Sequence, residues 1–348
     1  VKKFLSLALL LFAAPAAGQE LVFGPEVELE EPELGLSRPM SLHEVSDRFM
    51  YWENKGTGLV MQYDRAGKIV RTFGALGEGP GEYVGIRTVV EVGDWVYIFT
   101  PGRAHRFRVD GTYDRSWGVP WAAEDALPLG GERFLVNATG ALSPDMAALA
   151  LHVVDLNEGP LESYDEFTLY SRASGHGARF LSSHGDKLIG VSRFYDLTVT
   201  EIDLADGVYR KLPLNAPWYP PYKEQRSFTE EGPVTPSVIG SWVEDGLLYV
   251  YGRTPDSRWR SGIGGSQKLE GRTVYEPAEG KAYLFADFML DIYDADTFDL
   301  IDRITFDSFE EGRETKLGYR LIWEEDDLGF WHGSIRTVRY STNEGKTE

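Results

Sequence analysis

The 348-residue sequence predicts an all-β chain closed into a six-bladed β-propeller of four-stranded antiparallel blades. Three observations carry that expectation. A strand–turn–strand pattern recurs at a nearly constant interval. Each interval also holds room for two more strands. Finally, an orphan alternating segment near the N-terminus matches a strand missing at the other end of the chain.

The recurring unit is a β-branched or aromatic strand ending in Asp, a Gly-containing turn, and a second strand. It reads LVMQYDRAGKIVRTF from Leu59, HRFRVDGTYDRSW from His105, LHVVDLNEGPLESY from Leu151, TVTEIDLADGVYRKL from Thr198 and LDIYDADTFDLIDRI from Leu290. Its aspartates, Asp64, Asp110, Asp155, Asp203 and Asp294, lie 46, 45, 48 and 91 residues apart. Alternation such as Val60, Gln62, Asp64 against Met61, Tyr63 is the period of a strand. Asp closes a turn with its own side chain and Gly accepts positive φ. A repeat of about 40–50 residues built of strands is the signature of propeller blades, which cover one another's faces by stacking in a ring.

Blade by blade, the first runs from Ser41 to Gly74, with Phe49–Trp52 as its second strand. The second covers Arg87 to Trp117, with Arg87–Val92 innermost and Trp95–Thr100 next. The third spans Ala126 to Phe167 and the fourth Ala178 to Leu214. The fifth opens at Ser237 and closes near Phe306, interrupted by an insertion from Arg253 to Tyr283 of about thirty residues, beyond an ordinary connection. The doubled spacing there leaves a seventh, degenerate blade as the alternative. In the sixth blade, over residues 318–340, Tyr319–Glu324, Gly329–Gly333 and Ile335–Tyr340 supply only three strands. Leu21–Leu29 alternates and has no blade of its own, so the expectation is that this strand pairs with the last blade and closes the ring, removing exposed edges.

Residues 1–18 read as an address. Lys2 and Lys3 precede an apolar run from Phe4 to Ala14, and Ala16-Ala17-Gly18 offers small residues before a cut after Gly18. That is the pattern of a secretory signal peptide, leaving residues 19–348 as one propeller in a bacterial periplasm or outside the cell. No later stretch is long and apolar enough to span a bilayer.

Composition narrows the function classes. With 35 Lys+Arg against 55 Asp+Glu the formal charge is −20, which disfavours nucleic acid as a partner. The absence of Cys excludes disulfides, thiolate metal sites and Cys nucleophiles. The G-x-S-x-G elbow, the H-E-x-x-H pair and the phosphate-binding G-x-x-x-x-G-K-[ST] loop are all missing.

The junction between blades one and two, Thr72 to Tyr113, resembles the NHL repeat and the related bacterial six-bladed propellers of the TolB-like group. Phe73-Gly74, then Gly77, Gly79-Pro80-Gly81 and Glu82-Tyr83 carry the likeness, with Val96-Tyr97-Ile98 in the second strand and Phe107 and Asp110-Gly111 in the third. The Asp that usually follows the second strand in those repeats is here replaced by Phe99-Thr100. The resemblance implies the fold. Propellers of this kind serve as binding scaffolds, lactonases, other hydrolases and lyases.

Candidate sites follow from what could work on such a ring. The insertion carries Arg253, Arg258, Trp259 and Arg260 in an acidic chain, residue types that dominate binding hot spots. A second loop, Pro217 to Pro236, offers Trp218 and Tyr219 among prolines, a composition suited to a carbohydrate or peptide platform. These point to a non-catalytic monomeric scaffold for a protein, peptide or glycan, with no metal and no cofactor. The alternative is a Ca²⁺-dependent propeller hydrolase or lactonase with axial carboxylates, for which Glu44, Glu91, Glu244, Asn54 and Asn137 are the available ligands. A third reading is a polysaccharide-processing enzyme. The Asp294–Asp299 cluster and the six scattered histidines read as turn and blade structure.

Overall fold

A turn that an Asp side chain closes by itself needs little tertiary help, and five such turns set the beat of this chain. The Oδ1 atoms of Asp64, Asp110, Asp155, Asp203 and Asp294 each accept backbone N–H groups two to four residues on, at 2.8–3.3 Å. Gly67, Gly111, Gly159 and Gly207 supply the positive φ that follows; in the fifth turn Phe298 takes it instead, at 61°. Burial of its ring, 6% exposed in the core, offsets that strain.

The computed structural model describes residues 20–31, 41–54, 57–139, 149–166, 178–193, 196–219, 236–255, 263–269, 272–277, 286–306, 315–316, 318–325 and 331–341. Two short strands, β1 (Glu20–Phe23) and β2 (Val27–Glu28), precede the first blade. That blade is β3 (Ser41–Val45), β4 (Phe49–Asn54), β5 (Leu59–Asp64) and β6 (Ile69–Phe73). A small parallel pair, β7 (Ala75–Leu76) with β8 (Glu82–Tyr83), ties the junction loop. Blade two is β9 (Thr88–Val92), β10 (Trp95–Thr100), β11 (Arg103–Arg108) and β12 (Tyr113–Gly118). Blade three is β13 (Ala122–Gly130), β14 (Arg133–Thr139), β15 (Leu149–Asp155) and β16 (Gly159–Glu166). Blade four is β17 (Arg179–His184), β18 (Lys187–Ser192), β19 (Thr198–Asp203) and β20 (Tyr209–Pro213).

Blade five joins β21 (Ser237–Glu244) and β22 (Leu247–Pro255) to β25 (Ala286–Asp294) and β26 (Leu300–Phe306). Between them lies a separate hairpin, β23 (Ile263–Leu269) with β24 (Arg272–Pro277), so the insertion is a two-stranded excursion and the ring has six blades.

The sixth blade closes the circle and differs in detail from the expectation. Its strands are β27 (Thr315–Lys316), β28 (Tyr319–Glu325) and β29 (Trp331–Ser341), with β1 and β2 both pairing to β29 as the outer edge. Tyr319–Glu325 is therefore the second strand, not the innermost, and the third is one continuous strand through Gly333, which pairs with Trp323 instead of breaking. The N-terminal strand is in turn divided. Glu20 to Phe23 pair with Ser341 to Val338 and Val27 pairs with Ile335, while Gly24-Pro25 steps between, since a Cβ at 24 would overlap the Thr337 hydroxyl. Blade three also begins earlier than Ala126, because bulges at Ala123/Asp125 and Pro128/Gly130 let β13 run through a proline.

Among the described residues, six hydrophobic clusters fill the six seams. Leu42, Met50 and Trp52 meet Leu29 and Ile335 between blades six and one; Tyr51 and Phe73 meet Val89, Ile98 and Phe107 between one and two. Tyr97 and Phe99 pack on Phe134 and Val136, and Leu135 and Leu151 on Leu188 and Ile202. Val191 and Val199 then meet Val238 and Val250, and Trp242, Tyr249 and Tyr251 meet Tyr340. Middle strands are covered on both faces, so β4, β10 and β18 are buried at every residue but the first, and WVYIFT reads as a continuous apolar run. Outer strands such as β12 and β20 are mostly exposed.

Charge holds those outer strands on. Gln62 accepts from Arg71, Glu201 from Arg210 and Asp291 from Arg303, each third strand to its outer neighbour, while Arg106 and Asp114 reverse the polarity in blade two. Between blades, Glu91 accepts Ser46 Oγ at 2.8 Å, Tyr51 Oη at 2.6 Å and Arg48 Nη2 at 2.6 Å.

Candidate functional site

The two ends of the ring are built differently. At one end each inner strand returns through a tight turn, at residues 93–94, 131–132, 185–186 and 245–246. The opposite end carries the second-to-third and blade-to-blade connections, and from blade three onward five of these are long, 140–148, 167–178, 214–236, 256–285 and 307–314, while 193–197 and 326–330 are short. Long connections on a rigid ring are where recognition is built.

Arg253 lies at this end on β22, opposite Ser237, to whose Oγ its Nε donates at 3.1 Å. Arg258, Trp259 and Arg260 follow it in the insertion and lie outside the described residues. Trp218 and Tyr219 lie at the foot of the connection from blade four to blade five, and both are buried. The Trp218 indole packs against the backbone of Gly252, where a Cβ would overlap the ring, and its Nε1 donates to Asp291 at 2.9 Å. Asp291, fully buried, also accepts Tyr293 Oη at 3.0 Å and Arg303 Nε at 2.5 Å. These two aromatics thus fix the start of the connection to the blade.

Sequence reasoning missed what stands beside Arg253. Arg193 immediately follows blade four's second strand, and its backbone is clasped between the neighbouring inner strands. Its N–H donates to Ala178 and its carbonyl accepts from Val238, both at 3.0 Å. Its guanidinium sits 5.8 Å from the Phe180 ring. Two seams further back, Arg87 of blade two reaches Glu124 of blade three at 3.5 Å. Burial holds the Arg193 pKa below its usual value; Glu124 opposes the shift and the charge of Arg253 adds to it. The signal was legible: KLIGVSR and LLYVYGR place Arg193 and Arg253 seventh from the start of corresponding strands. Arg87, Arg193 and Arg253 thus stand at the long-connection end of a chain of formal charge −20. Guanidiniums present several fixed donors and stay protonated at any ordinary pH, so they bind and orient instead of shuttling protons.

The groups considered for a metal have other partners. Glu91 accepts from Arg48, Ser46 and Tyr51, and Glu244 pairs with Arg339 at 3.0 Å. Asn54 caps its own turn through Thr57 N, and Asn137 bridges blades three and four by accepting Arg179 N and donating to Ala150 O. The Asp294 cluster is a closed turn, with Asp296 near His184 at 3.4 Å. Among the described residues, no three His, Asp or Glu converge on one point. His105 and His152 are buried in third strands, and burial pushes both down to about 4. Asp165, at φ 62° on the seam of blades three and four, is fully buried. Burial there raises its pKa, but the charges of Arg179 and Lys211 outweigh that and hold it below the usual carboxylate range.

Known proteins match this chain in architecture. Among solved structures, a member of the DUF4221 family from Bacteroides vulgatus superposes with a TM-score of 0.61 at 14% identity, over 93% of this chain and 99% of its own. A protein from Bacteroides fragilis described as exported gives a TM-score of 0.64 at 11% identity, over 93% and 96%. The structure of YjhT gives 0.51 at 13%, over 90% and 99%. No family model matches the chain, and no curated protein does. At these identities the likeness is one of fold: the chain is a six-bladed β-propeller. No helix among the described residues is long and apolar enough to cross a membrane.

Proposed function

We propose that this protein is an exported, non-catalytic scaffold that presents the long-connection end of its ring to a protein, peptide or glycan. The observation that carries the reading is the asymmetry of the ring, with tight self-closing turns at one end and long connections and arginines at the other. Arg253, with Arg258, Trp259 and Arg260 beyond it, supplies the contact surface, and Trp218 and Tyr219 anchor the neighbouring connection. The apolar first segment and the likeness to a Bacteroides fragilis protein described as exported support a place outside the cytoplasm.

Because β22 and β25 pair as far as Pro255 and Ala286, a short linker can replace residues 256–285. Screened on glycan and peptide arrays, the deletion variant keeps the circular dichroism and melting temperature of the full chain and loses the array hits. Unchanged hits would remove this end of the ring from the account. The calcium-dependent alternative predicts a melting temperature that rises with Ca²⁺ and falls with EDTA; the scaffold reading predicts indifference to both.

A further inference from the structure

The outer turn of blade four departs from its counterparts. In blade three the ladder between β14 and β15 ends at Arg133 and Asp155, and the next residue ties the outer turn to the inner one: Leu156 N donates to Glu132 O at 3.0 Å. Blade five repeats this, with Ala295 N donating to Gly246 O at 3.0 Å after the pair Leu247 and Asp294. In blade four the ladder ends likewise at Lys187 and Asp203, but Leu204 makes no such backbone bond to the turn at 185–186. The consequence is exposure. Leu156 is 7% exposed and Ala295 0%, whereas Leu204 is 40% exposed. Val208, which stands where blade five has Asp299, and the adjoining Tyr209 are 59% and 45% exposed. Isolated apolar side chains on a surface are ordinary, but three on one short turn, where polar residues are the rule, are not. Tyr209 is also held in place, edge to face with Tyr164 of blade three at 5.7 Å between ring centres.

The charges around this turn select what could cover it. Lys187 and Arg210 both pair with Glu201, Lys211 pairs with Asp165, and His184 lies 3.4 Å from Asp296. Asp186 and Asp206 enter no ion pair among the described residues; Asp206 Oδ1 accepts only Val208 N, at 2.9 Å. A second copy of the chain would set these aspartates against their own images, and an anionic lipid surface would be repelled in the same way. Interfaces place an apolar centre within a polar rim of complementary charge.

We propose that Leu204, Val208 and Tyr209 form a docking knob for a partner protein, which covers it with an apolar segment flanked by Lys or Arg. The knob lies at the tight-turn end, so it is a second surface, separate from the long connections.

The test is fluorescence anisotropy of residues 19–348 with a labelled Leu-Val octapeptide flanked by lysines, against its glutamate-flanked counterpart. The expected result is saturable binding of the lysine-flanked peptide alone, weakening as salt is raised. The double variant Leu204→Ser/Val208→Ser weakens binding about tenfold at an unchanged melting temperature, as for the centre of an interface. Asp186→Asn weakens it about threefold. Leu156→Ser, at the buried counterpart, lowers the melting temperature and leaves binding as it was. If neither peptide binds, if both bind equally, or if the double variant binds as the parent does, the knob is wrong. A dimer in sedimentation that the double variant abolishes would give the turn to a second copy. Adsorption to phosphatidylglycerol vesicles lost in that variant would give it to a membrane; either result overturns the proposal. Deleting residues 256–285 leaves peptide binding intact, so the knob and the scaffold reading stand or fall separately.

Discussion

The two ends of this ring are built from different connections and use charge differently. At the tight-turn end, carboxylates close loops on themselves: Asp64 accepts Ala66 N and Lys68 N at 2.9 Å, and Glu91 gathers Arg48, Ser46 and Tyr51. At the long-connection end, Arg253 donates to Ser237 and the backbone of Arg193 is held by Ala178 and Val238, around the start of one inner strand. The first arrangement satisfies itself. The second places arginines where the long connections leave the ring.

The sharpest way to break that contrast is to attack the anchor beneath the long connections. Asp291→Ala leaves the Trp218 indole, the Tyr293 hydroxyl and Arg303 without their shared acceptor. Chemical denaturation should show a loss of about 3–5 kcal/mol, as for a broken buried charge. A loss under 1 kcal/mol would mean that the connection is not fixed there. Glu91→Ala, at the opposite end, leaves the buried Tyr51 hydroxyl proton without its acceptor, though Gln62 still donates to its oxygen, and should cost about 1–3 kcal/mol while leaving ligand capture intact.

Acid provides a third lever. His105 titrates at about 4 in the folded protein because burial disfavours its charged form, against an ordinary value of 6.5. A lowered histidine pKa means that the unfolded chain takes up the proton first. Its contribution is therefore complete above about pH 6.5 and is lost as pH falls towards 4, by at most about 1.4 kcal/mol per pH unit. His105→Phe, placed beside Tyr83 at 5.7 Å, should flatten the melting-temperature profile between those values. An unchanged slope would show that His105 is hydrated and not buried. Smaller still, Asp64→Ala removes two turn hydrogen bonds and should cost about 0.5–1.5 kcal/mol, with no effect on capture.

How much of this was legible follows the same division. The Asp-and-Gly turns announce themselves because their chemistry is local, so the strand repeat, the blade count and closure by the N-terminal strand could all be read. Gly333 misled because a glycine inside a strand looks like a break, although its partner Trp323 carries the ladder through. Trp218 looked like a surface aromatic because nothing nearby in sequence reveals that Gly252 and Asp291 receive it. Arg193 was overlooked for the converse reason. It follows an ordinary strand, and its meaning appears only when blades four and five are laid side by side.

The division of labour between the two ends is tested most directly by amide hydrogen exchange, with and without the ligand selected on the arrays. Protection should be gained in peptides spanning 192–198 and 252–255, with none at 131–132 or 185–186. Protection confined to the tight-turn peptides would contradict the account.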